Sequence, residues 1–190
     1  MNKVLVFLAN GFEDIEAFTV IDLLRRAEIE VDLVGIKDLT IKSGSGINIL
    51  VDKSVGDVKT NDYSLIFLPG GAGVKALDDS EEVKRIVKEF YNQKKYIAAI
   101  CAAPLILGKL GLLDSIEFTC YPGFERFAEK GIYKELGFVK SGNIITGRGI
   151  GYVNDFALFL IELLKSIEVK NSVEEQTLIL ESNKLEYKVV

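Results

Sequence analysis

The 190-residue sequence predicts an α/β protein with a doubly wound, mostly parallel sheet that carries helices on both faces. Short apolar runs, typical of strands buried on both sides, alternate with segments whose apolar residues recur at helical spacing. Several of these runs pass directly into glycine-rich or alanine-rich segments. Because strands and helices that alternate along a chain are joined by right-handed crossovers, the strands should form one mostly parallel sheet.

Short apolar runs bounded by turn residues predict the strands. They are Lys3 to Ala9, Glu30 to Ile36, Leu65 to Leu68, Tyr96 to Ile100 and Glu117 to Cys120. Two other segments have a glycine turn between apolar arms and predict hairpins. Leu39 to Val51 should extend one edge of the sheet, and Phe138 to Thr146 should form the second hairpin.

Apolar residues spaced three or four apart predict the helices. Their faces run through Ile15, Phe18, Ile21 and Leu24, through Val83, Ile86, Val87 and Phe90, and through Phe156, Leu160 and Leu164. The second helix should begin near Asp79 and Glu82, which have capping-box spacing. Pro104 suits the first turn of another helix, and Gly123 to Lys130 predicts a short one.

Length and composition predict a single closed domain over residues 1–170. The chain is 48% hydrophobic with a mean hydropathy of +0.23, which is enough apolar material for one core. Residues 171–190 should form a C-terminal extension. In it, Leu178 to Leu180 and Leu185 to Val189 flank Ser182-Asn183 and predict a small β-hairpin.

Charge and the N-terminal segment argue against several partners. The net charge is −5, and the charged residues are scattered without the basic stripe that nucleic-acid binding requires. The apolar start, Met1 to Ala9, is too short for a signal peptide or a membrane span. We therefore expect a cytoplasmic protein that binds neither nucleic acid nor membrane.

The chain contains two cysteines and no histidine. In a reducing compartment a lone cysteine in a special setting is more often reactive than structural. The lack of histidine excludes His-rich zinc sites and every Cys-His or Ser-His dyad. We expect no metal site.

Cys101 carries the sharpest chemical signal, because it lies between a predicted strand and the helix that Pro104 opens. Ligands of open parallel sheets bind beyond the carboxyl ends of the strands. A thiol at this point would feel the helix N-terminus, which would lower its pKa from ~8.5. From composition alone, a buried cysteine that fills space is an equal alternative.

Glu16 lies in the first predicted helix between Ile15 and Phe18, which we expect to face the core. Its carboxyl group would then point toward the edge of the sheet that carries Cys101. A carboxyl group kept protonated by burial donates a hydrogen bond to a thiolate or moves a proton as general acid or base. The alternative is a surface acid that complements the helix dipole.

Three segments with unusual sequence end at this edge of the sheet. They are Asn10 to Glu16, which includes Glu13, then Pro69 to Gly73, and Ala98 to Pro104. Gly70 and Gly71 would let backbone N–H groups approach a reacting oxygen, and the N–H of Ala102 would complete an oxyanion hole. Glycine pairs after strands are common, so this signal is weak by itself.

Cys120 and Arg148 each have two interpretations. Cys120 would resolve a sulfenic acid on Cys101 into a disulfide if their Cα atoms lay within ~7 Å, but filling space at a strand end is the favoured interpretation. Arg148 lies between glycines and would supply positive charge to an anion near the pocket. A solvated or structural arginine is the equal alternative.

Together these segments resemble the ThiJ/PfpI family, which includes the parkinsonism-linked deglycase and belongs to the class I glutamine-amidotransferase-like superfamily. The resemblance covers roughly residues 1–168. It rests on Gly11 to Glu16, Leu68 to Gly71, Ala98 to Pro104 and Ile145 to Gly151. It implies a flavodoxin-like three-layer sandwich with Cys101 as the nucleophile-elbow cysteine. It also implies that Glu16 contacts the sulfur, and that Gly71 and Ala102 are the backbone donors.

Two positions depart from the family pattern. Peptidase-like members have a histidine directly after the elbow cysteine, where this chain has Ala102, so a protease is disfavoured. The deglycase branch commonly has a histidine before a proline near the pocket, where this chain has Tyr121 and Pro122. A tyrosine hydroxyl donates a hydrogen bond but is a poor base at neutral pH.

The resemblance implies a glyoxalase or deglycase-type enzyme that acts on a small reactive carbonyl or a glycated substrate without metal or organic cofactor. One alternative is an oxidative-stress sensor or protective protein in which Cys101 is oxidised to a sulfinate. Another is an interaction module without activity. Family members are usually homodimers, and by that likeness the first helix and the Leu39 to Val51 hairpin would form the contact surface.

Overall fold

The computed structural model describes residues 3–179 and has a seven-stranded sheet at its centre. Numbered by their order in the chain, its strands lie in the spatial order β10 (Phe138–Ser141), β11 (Ile144–Gly147), β7 (Tyr96–Ile100), β6 (Leu65–Leu68), β1 (Lys3–Leu8), β2 (Glu30–Gly35) and β5 (Lys53–Ser54). Every neighbouring pair is parallel except β10 with β11. This sheet confirms the predicted fold class.

Six helices cover the two faces of the sheet within the described residues. They are α1 (Asp14–Arg26), α2 (Val74–Asp79), α3 (Glu81–Asn92), α4 (Pro104–Lys109), α5 (Val153–Leu164) and α6 (Ile167–Thr177). Buried residues of α1, α5 and α6 form one core with one face of the sheet. Those of α2, α3 and α4 form a second core with the other face. The result is a three-layer sandwich whose two cores are separated by the sheet.

The order of the strands places the candidate site. From β1 the chain continues to β2 on one side of the sheet, and β6 pairs with β1 on the other side. In open α/β sheets, the carboxyl ends of the strands at such a reversal form the ligand-binding crevice. The ends of β1, β6 and β7 lie there side by side, and Cys101 directly follows β7.

The hairpin predicted over Leu39 to Val51 exists, but the expectation that it extends the edge of the main sheet is wrong. Its strands β3 (Thr40–Lys42) and β4 (Asn48–Leu50) form a separate antiparallel pair, and β5 forms the sheet edge beside β2. The hairpin lies against the loop after β1, because Gly11 N–H donates to the Lys42 carbonyl at 2.8 Å.

Three other local predictions need correction. The N-cap of α3 is Ser80, whose hydroxyl accepts from the N–H of Val83, whereas Asp79 ends α2. The segment Gly123 to Lys130 contains only the 3-10 turn Glu125–Phe127. The strand predicted over Glu117 to Cys120 is reduced to β8 (Glu117–Phe118), which pairs with β9 (Ile132–Tyr133) outside the main sheet.

The C-terminal part is helical where the structure describes it. The expected domain boundary after residue 170 falls inside α6, which joins the core through Val173. The turn Ser182-Asn183 and the second arm of the predicted terminal hairpin, Leu185 to Val189, lie outside the described residues. No helix between residues 3 and 179 combines the length and the apolar character needed to cross a bilayer.

Candidate active site

Cys101 occupies a sharp turn between β7 and α4. Its φ of +62° lies in the left-handed region, which residues with a side chain rarely adopt. Two backbone hydrogen bonds hold the turn: Cys101 N–H donates to the Gly147 carbonyl at 2.9 Å, and Tyr121 N–H donates to the Cys101 carbonyl at 2.8 Å. This backbone leaves the thiol partly exposed, although the residue also packs against the core.

Glu16 is fully buried although it carries a carboxyl group. Its Oε2 accepts a hydrogen bond from the N–H of Gly70 at 2.9 Å. A Cβ atom placed on Gly70 would lie 2.5 Å from this oxygen and 3.1 Å from the sulfur of Cys101, so the carboxyl group and the thiol are close together. The expectation that Ile15 faces the core is wrong, since 50% of that residue is exposed. The register of α1 turns Glu16 toward the thiol, with Ile15 on the outside.

The second carboxylate oxygen of Glu16 has no partner. Among residues 3–179, Oε1 of Glu16 is the one buried side-chain nitrogen or oxygen without a hydrogen-bond partner. An unsatisfied buried acceptor normally destabilises a protein, and such atoms are rare in native structures. A Cβ atom placed on Gly149 would lie 3.8 Å from Oε1, which locates this oxygen beside the loop after β11.

Glu13 supports Glu16 from the preceding turn. Its carboxylate caps α1 by accepting from the N–H of Glu16 at 2.7 Å, and its own N–H donates to the Gly70 carbonyl at 3.0 Å. The cap stabilises the helix start. Its negative charge, close to Glu16, also favours the neutral form of the Glu16 carboxyl group.

The pair formed by Glu16 and Cys101 resists double ionisation. Burial raises the pKa of the Glu16 carboxyl to about 7, with a further contribution from Glu13. Burial and the negative charge of Glu16 raise the pKa of the Cys101 thiol to about 12. The expectation of a lowered thiol pKa is therefore wrong while Glu16 is ionised. A thiolate forms most readily when Glu16 holds the proton, so the two groups titrate as a unit.

Two backbone N–H groups oppose these effects. Those of Ala102 and Gly71 both favour the ionised form of the Cys101 thiol. Gly71 has a φ of +90°, and a Cβ there would lie 2.5 Å from the Gly11 carbonyl oxygen. Only glycine fits at this position. Because Gly71 has no side chain, its backbone can adopt the conformation that places its N–H beside the sulfur.

The thiol opens into a cleft of about 400 Å3. The residues that line it are Glu13, Glu16, Gly71, Cys101, Tyr121, Pro122, Arg148, Gly149, Ile150, Gly151 and Tyr152. Of the pocket residues expected from the sequence, Glu13, Tyr121 and Arg148 line the cleft. Gly70 lies directly against Glu16 and Cys101. The wall from Gly149 to Tyr152 was not predicted, although its large apolar residues between glycines were a signal for it.

Cys120 does not line the cleft, since it is fully buried in the core between the sheet and α4. Burial, with the charge of Glu125, raises the pKa of its thiol to about 12. This setting agrees with the space-filling interpretation. Arg148 both lines the cleft and donates from Nη1 to the hydroxyl of Tyr133 at 3.0 Å, so one of its nitrogens already has a structural partner.

The described part of the chain has no group of three or more Cys, Asp or Glu side chains placed to hold a metal ion. The polar atoms at the base of the cleft are instead a thiol, a carboxyl group and two backbone N–H groups. That set suits a thiol nucleophile with a proton donor and an oxyanion site.

Comparison with known proteins agrees with this fold and site. The model of the DJ-1/PfpI family matches residues 2–163, and the chain belongs to that family. The zebrafish Parkinson disease protein 7 homolog is 35% identical over 178 residues, which cover 90% of this chain and 94% of the relative. The glutathione-independent glyoxalase DJ-1 of Schizosaccharomyces pombe is 32% identical over 185 residues, which cover 91% and 96%.

The solved structures agree as well. The crystal structure of Drosophila melanogaster DJ-1beta matches with a TM-score of 0.88 and 34% identity, over 93% of this chain and 97% of that one. The family resemblance read from the four sequence motifs is thereby confirmed, and so is the fold that it implied.

Proposed function

We propose that this protein is a cofactor-independent enzyme of the glyoxalase or deglycase type, which acts on α-oxoaldehydes through Cys101 and Glu16. The observation that carries the proposal is the unpartnered Oε1 of a fully buried Glu16, whose carboxyl group lies beside the thiol of Cys101. The relative from Schizosaccharomyces pombe that is named a glutathione-independent glyoxalase supports it.

In the first step the sulfur of Cys101 attacks the aldehyde carbon. A C–S bond forms, the C=O π electrons move to oxygen, and a proton from Glu16 neutralises that oxygen to give a hemithioacetal. The N–H groups of Gly71 and Ala102 are the donors near the developing oxyanion. This step needs the proton on Glu16 and the negative charge on sulfur, which is one protonation state of the pair.

In the second step the ionised Glu16 removes the proton from the former aldehyde carbon and returns a proton to the neighbouring carbon. The electron pair of the C–H bond passes into an enediol, the hydroxyl proton moves from the former aldehyde oxygen to the former ketone oxygen, and the product is a thioester of a 2-hydroxy acid. Water then cleaves the C–S bond and restores the thiol. Methylglyoxal plus water thereby becomes lactate, and no external oxidant or reductant is required.

The test is lactate formation from methylglyoxal by the purified protein and by Cys101→Ser. We expect the substitution to lower kcat/KM by at least about a thousand-fold, because the nucleophile is lost. Cys120→Ala is the matched control and should keep the activity, since Cys120 is buried away from the cleft. Equal rates for the wild type and Cys101→Ser would contradict the proposal.

The same geometry favours a second candidate function, an oxidative-stress sensor. Two successive oxidations of the Cys101 thiolate by peroxide would give a sulfinate, and a protonated Glu16 would donate a hydrogen bond to it. Intact-mass measurement after mild peroxide should show two added oxygens on Cys101 and none on Cys120. Modification of Cys120 alone would remove this candidate.

The proposal includes a homodimer in a cytoplasmic setting. Exposed apolar side chains on the start of α1 and on the β3–β4 hairpin support the dimer: Ile15 is 50% exposed, Ile47 52% and Leu50 74%. Two hydrogen bonds between Ser45 and Asp14 hold the hairpin beside α1, so these side chains belong to one region of the surface.

A further inference from the structure

The cleft above Cys101 is larger than a three-carbon aldehyde requires. Its volume is about 400 Å3, and clefts of ~300–1,000 Å3 commonly hold drug-sized ligands. The reactive polar groups lie at its base, where Glu16 meets Cys101. The room that remains above them is available to a substituent of the substrate.

The wall of this remaining space is aromatic and aliphatic. Tyr121 is 52% exposed, Ile150 45% and Tyr152 44%, and all three line the same cleft. Large apolar side chains exposed around one opening indicate a surface that binds an apolar group. Arg148 is the cation of the lining, and its guanidinium group is partly engaged by Tyr133.

The aromatic wall lies directly beside the unpartnered oxygen. A Cβ atom placed on Gly149 would be 3.6 Å from Cδ2 of Tyr121 and 3.8 Å from Oε1 of Glu16. The ring of Tyr121 and Oε1 of Glu16 therefore both lie beside Gly149, so the aromatic wall begins next to the oxygen that would exchange a proton with the substrate.

Both tyrosine rings are positioned by the fold before a ligand binds. Tyr121 packs edge to face on Phe124 with ring centres 6.4 Å apart. Tyr152 lies so close to Gly137 that a Cβ there would be 2.6 Å from its ring. Rings that are already ordered lose little conformational freedom on binding, so they favour a planar apolar partner.

We propose that the preferred substrates are α-oxoaldehydes whose ketone carries an aromatic or similarly large apolar substituent, with Tyr121 and Tyr152 as the residues that determine this specificity. The inference rests on the proposed function and deepens it. Phenylglyoxal represents the preferred class, and methylglyoxal represents the same reaction without the ring.

The first experiment compares kcat/KM for the two aldehydes in the wild type and in Tyr121→Ala/Tyr152→Ala. Removal of both rings should lower the ratio of phenylglyoxal to methylglyoxal by at least about ten-fold, a typical discrimination for one apolar contact region. The intrinsic reactivity of the aldehydes cancels in this comparison. An unchanged ratio would overturn the inference while leaving the glyoxalase proposal intact.

Matched variants separate ring contact from other effects. Tyr121→Phe/Tyr152→Phe keeps both rings and should keep the ratio. Tyr91→Ala removes a tyrosine that is 40% exposed on α3, away from the cleft, and should also keep it. A loss of the ratio in the phenylalanine variant would assign the effect to the hydroxyl groups and contradict an apolar subsite.

A second readout does not depend on turnover. 2-Chloroacetamide and N-benzyl-2-chloroacetamide alkylate a thiolate by the same reaction as each other: the sulfur forms a C–S bond with the CH2 carbon, and chloride leaves. For each reagent, the rate of Cys101 labelling is divided by its rate with free cysteine. This normalised rate should be higher for the benzyl compound in the wild type, and the difference between the two reagents should disappear in Tyr121→Ala/Tyr152→Ala. If neither aldehyde is turned over, the proposed function fails. A benzyl preference would then still support the apolar subsite, and equal labelling would overturn it.

Discussion

Glu16 and Cys101 form one titrating unit rather than an acid and a thiol that act separately. Burial opposes charge on either group, and two charges together are opposed most strongly. The N–H of Gly70 favours a carboxylate on Glu16, whereas those of Gly71 and Ala102 favour a thiolate on Cys101. Backbone N–H groups therefore stabilise the negative charge on whichever of the two side chains has lost the shared proton. Proton transfer to and from a substrate requires both of these states.

Gly70 allows the two side chains to meet, and Gly70→Ala tests this directly. A methyl group there would lie 2.5 Å from Oε2 of Glu16 and 2.7 Å from Cβ of Cys101. The two side chains would have to move apart to make room for this methyl group. Because a displacement of about 1 Å at a reacting centre lowers the rate about a hundred-fold, we expect kcat/KM for methylglyoxal to fall by at least that factor. The overpacked site should also lower the free energy of unfolding by ~1–3 kcal/mol.

The matched control is Gly56→Ala. Its new methyl group would have Ser54 Oγ, at 3.8 Å, as its neighbour, which is ordinary contact. Activity and urea unfolding should stay close to those of the wild type. An active Gly70→Ala enzyme would show that close approach of the two side chains is unnecessary.

At this scale the sequence identified the two central residues but not their electrostatics. Cys101 was recognisable because a cysteine between a buried strand and Pro104 is an unusual pattern. The pKa of its thiol was predicted in the wrong direction, because burial and the charge of Glu16 arise only when distant segments come together. The α4 helix, only six residues long, is also a weak source of dipole stabilisation.

Among the strands, Asp32 on β2 links separate elements through its carboxylate. It pairs with Lys3 of β1 at 3.0 Å and Lys53 of β5 at 2.7 Å, and it accepts from the hydroxyl of Tyr63 at 2.6 Å. Although burial opposes the charge, these hydrogen bonds outweigh it and lower the pKa of Asp32 to about 2. The carboxylate therefore stabilises the folded state.

The pH dependence follows from this lowered pKa. The folded value lies below the unfolded value of ~3.9, so the stabilisation is complete above that pH and is lost as pH falls toward 2. Asp32→Asn should lower the free energy of unfolding at pH 7 by about 2 kcal/mol, measured with urea. The difference from the wild type should shrink at pH 3.

Asp22→Asn is the control for this prediction. Asp22 pairs with Arg26 on the exposed face of α1 at 2.7 Å, where its side chain is 60% exposed. Exposed pairs contribute little, so we expect a change within about 0.5 kcal/mol. Equal losses for Asp22→Asn and Asp32→Asn would mean that the partly buried network around Asp32 has no special effect.

At the scale of elements, helices with a strong apolar periodicity could be predicted from the sequence, whereas a helix with a weak one could not. The face through Val83, Ile86, Val87 and Phe90 is fully buried on α3 as predicted. The α6 helix was not predicted, because its buried positions are only Val173 and Glu174 and carry no apolar stripe. Its existence depends on packing against α5, which local sequence does not encode.

At the scale of the whole molecule, the doubly wound order of strands brings the three motif-bearing loops together. The carboxyl ends of β1, β6 and β7 are neighbours in the sheet although they are distant in sequence. This arrangement was predictable, because parallel strands place their carboxyl ends at one edge. The position of the hairpin was not, since its hydrogen bonds to the loop after β1 depend on tertiary contacts.

The proposed homodimer is a prediction at this scale. Light scattering should give a mass twice the 21.0 kDa of one chain. Leu50→Asp places a charge on the most exposed apolar side chain of the hairpin and should shift the mass toward one chain. Ile132→Asp, at an exposed apolar side chain on β9, is the control and should leave the mass unchanged. A mass of one chain for the wild type would contradict the dimer.

The titration of Cys101 with and without Glu16 tests the central claim most directly. The rate of Cys101 alkylation by iodoacetamide would be followed by intact mass across pH, in Cys120→Ala and in Cys120→Ala/Glu16→Gln. With Glu16 present, the carboxyl group loses its proton near pH 7 and its charge holds the pKa of the thiol near 12, so alkylation should rise steeply only in strongly alkaline solution. With glutamine, the transition should move to lower pH, because burial alone then opposes the thiolate. The same midpoint in both variants would show that the charge of Glu16 does not act on the thiol.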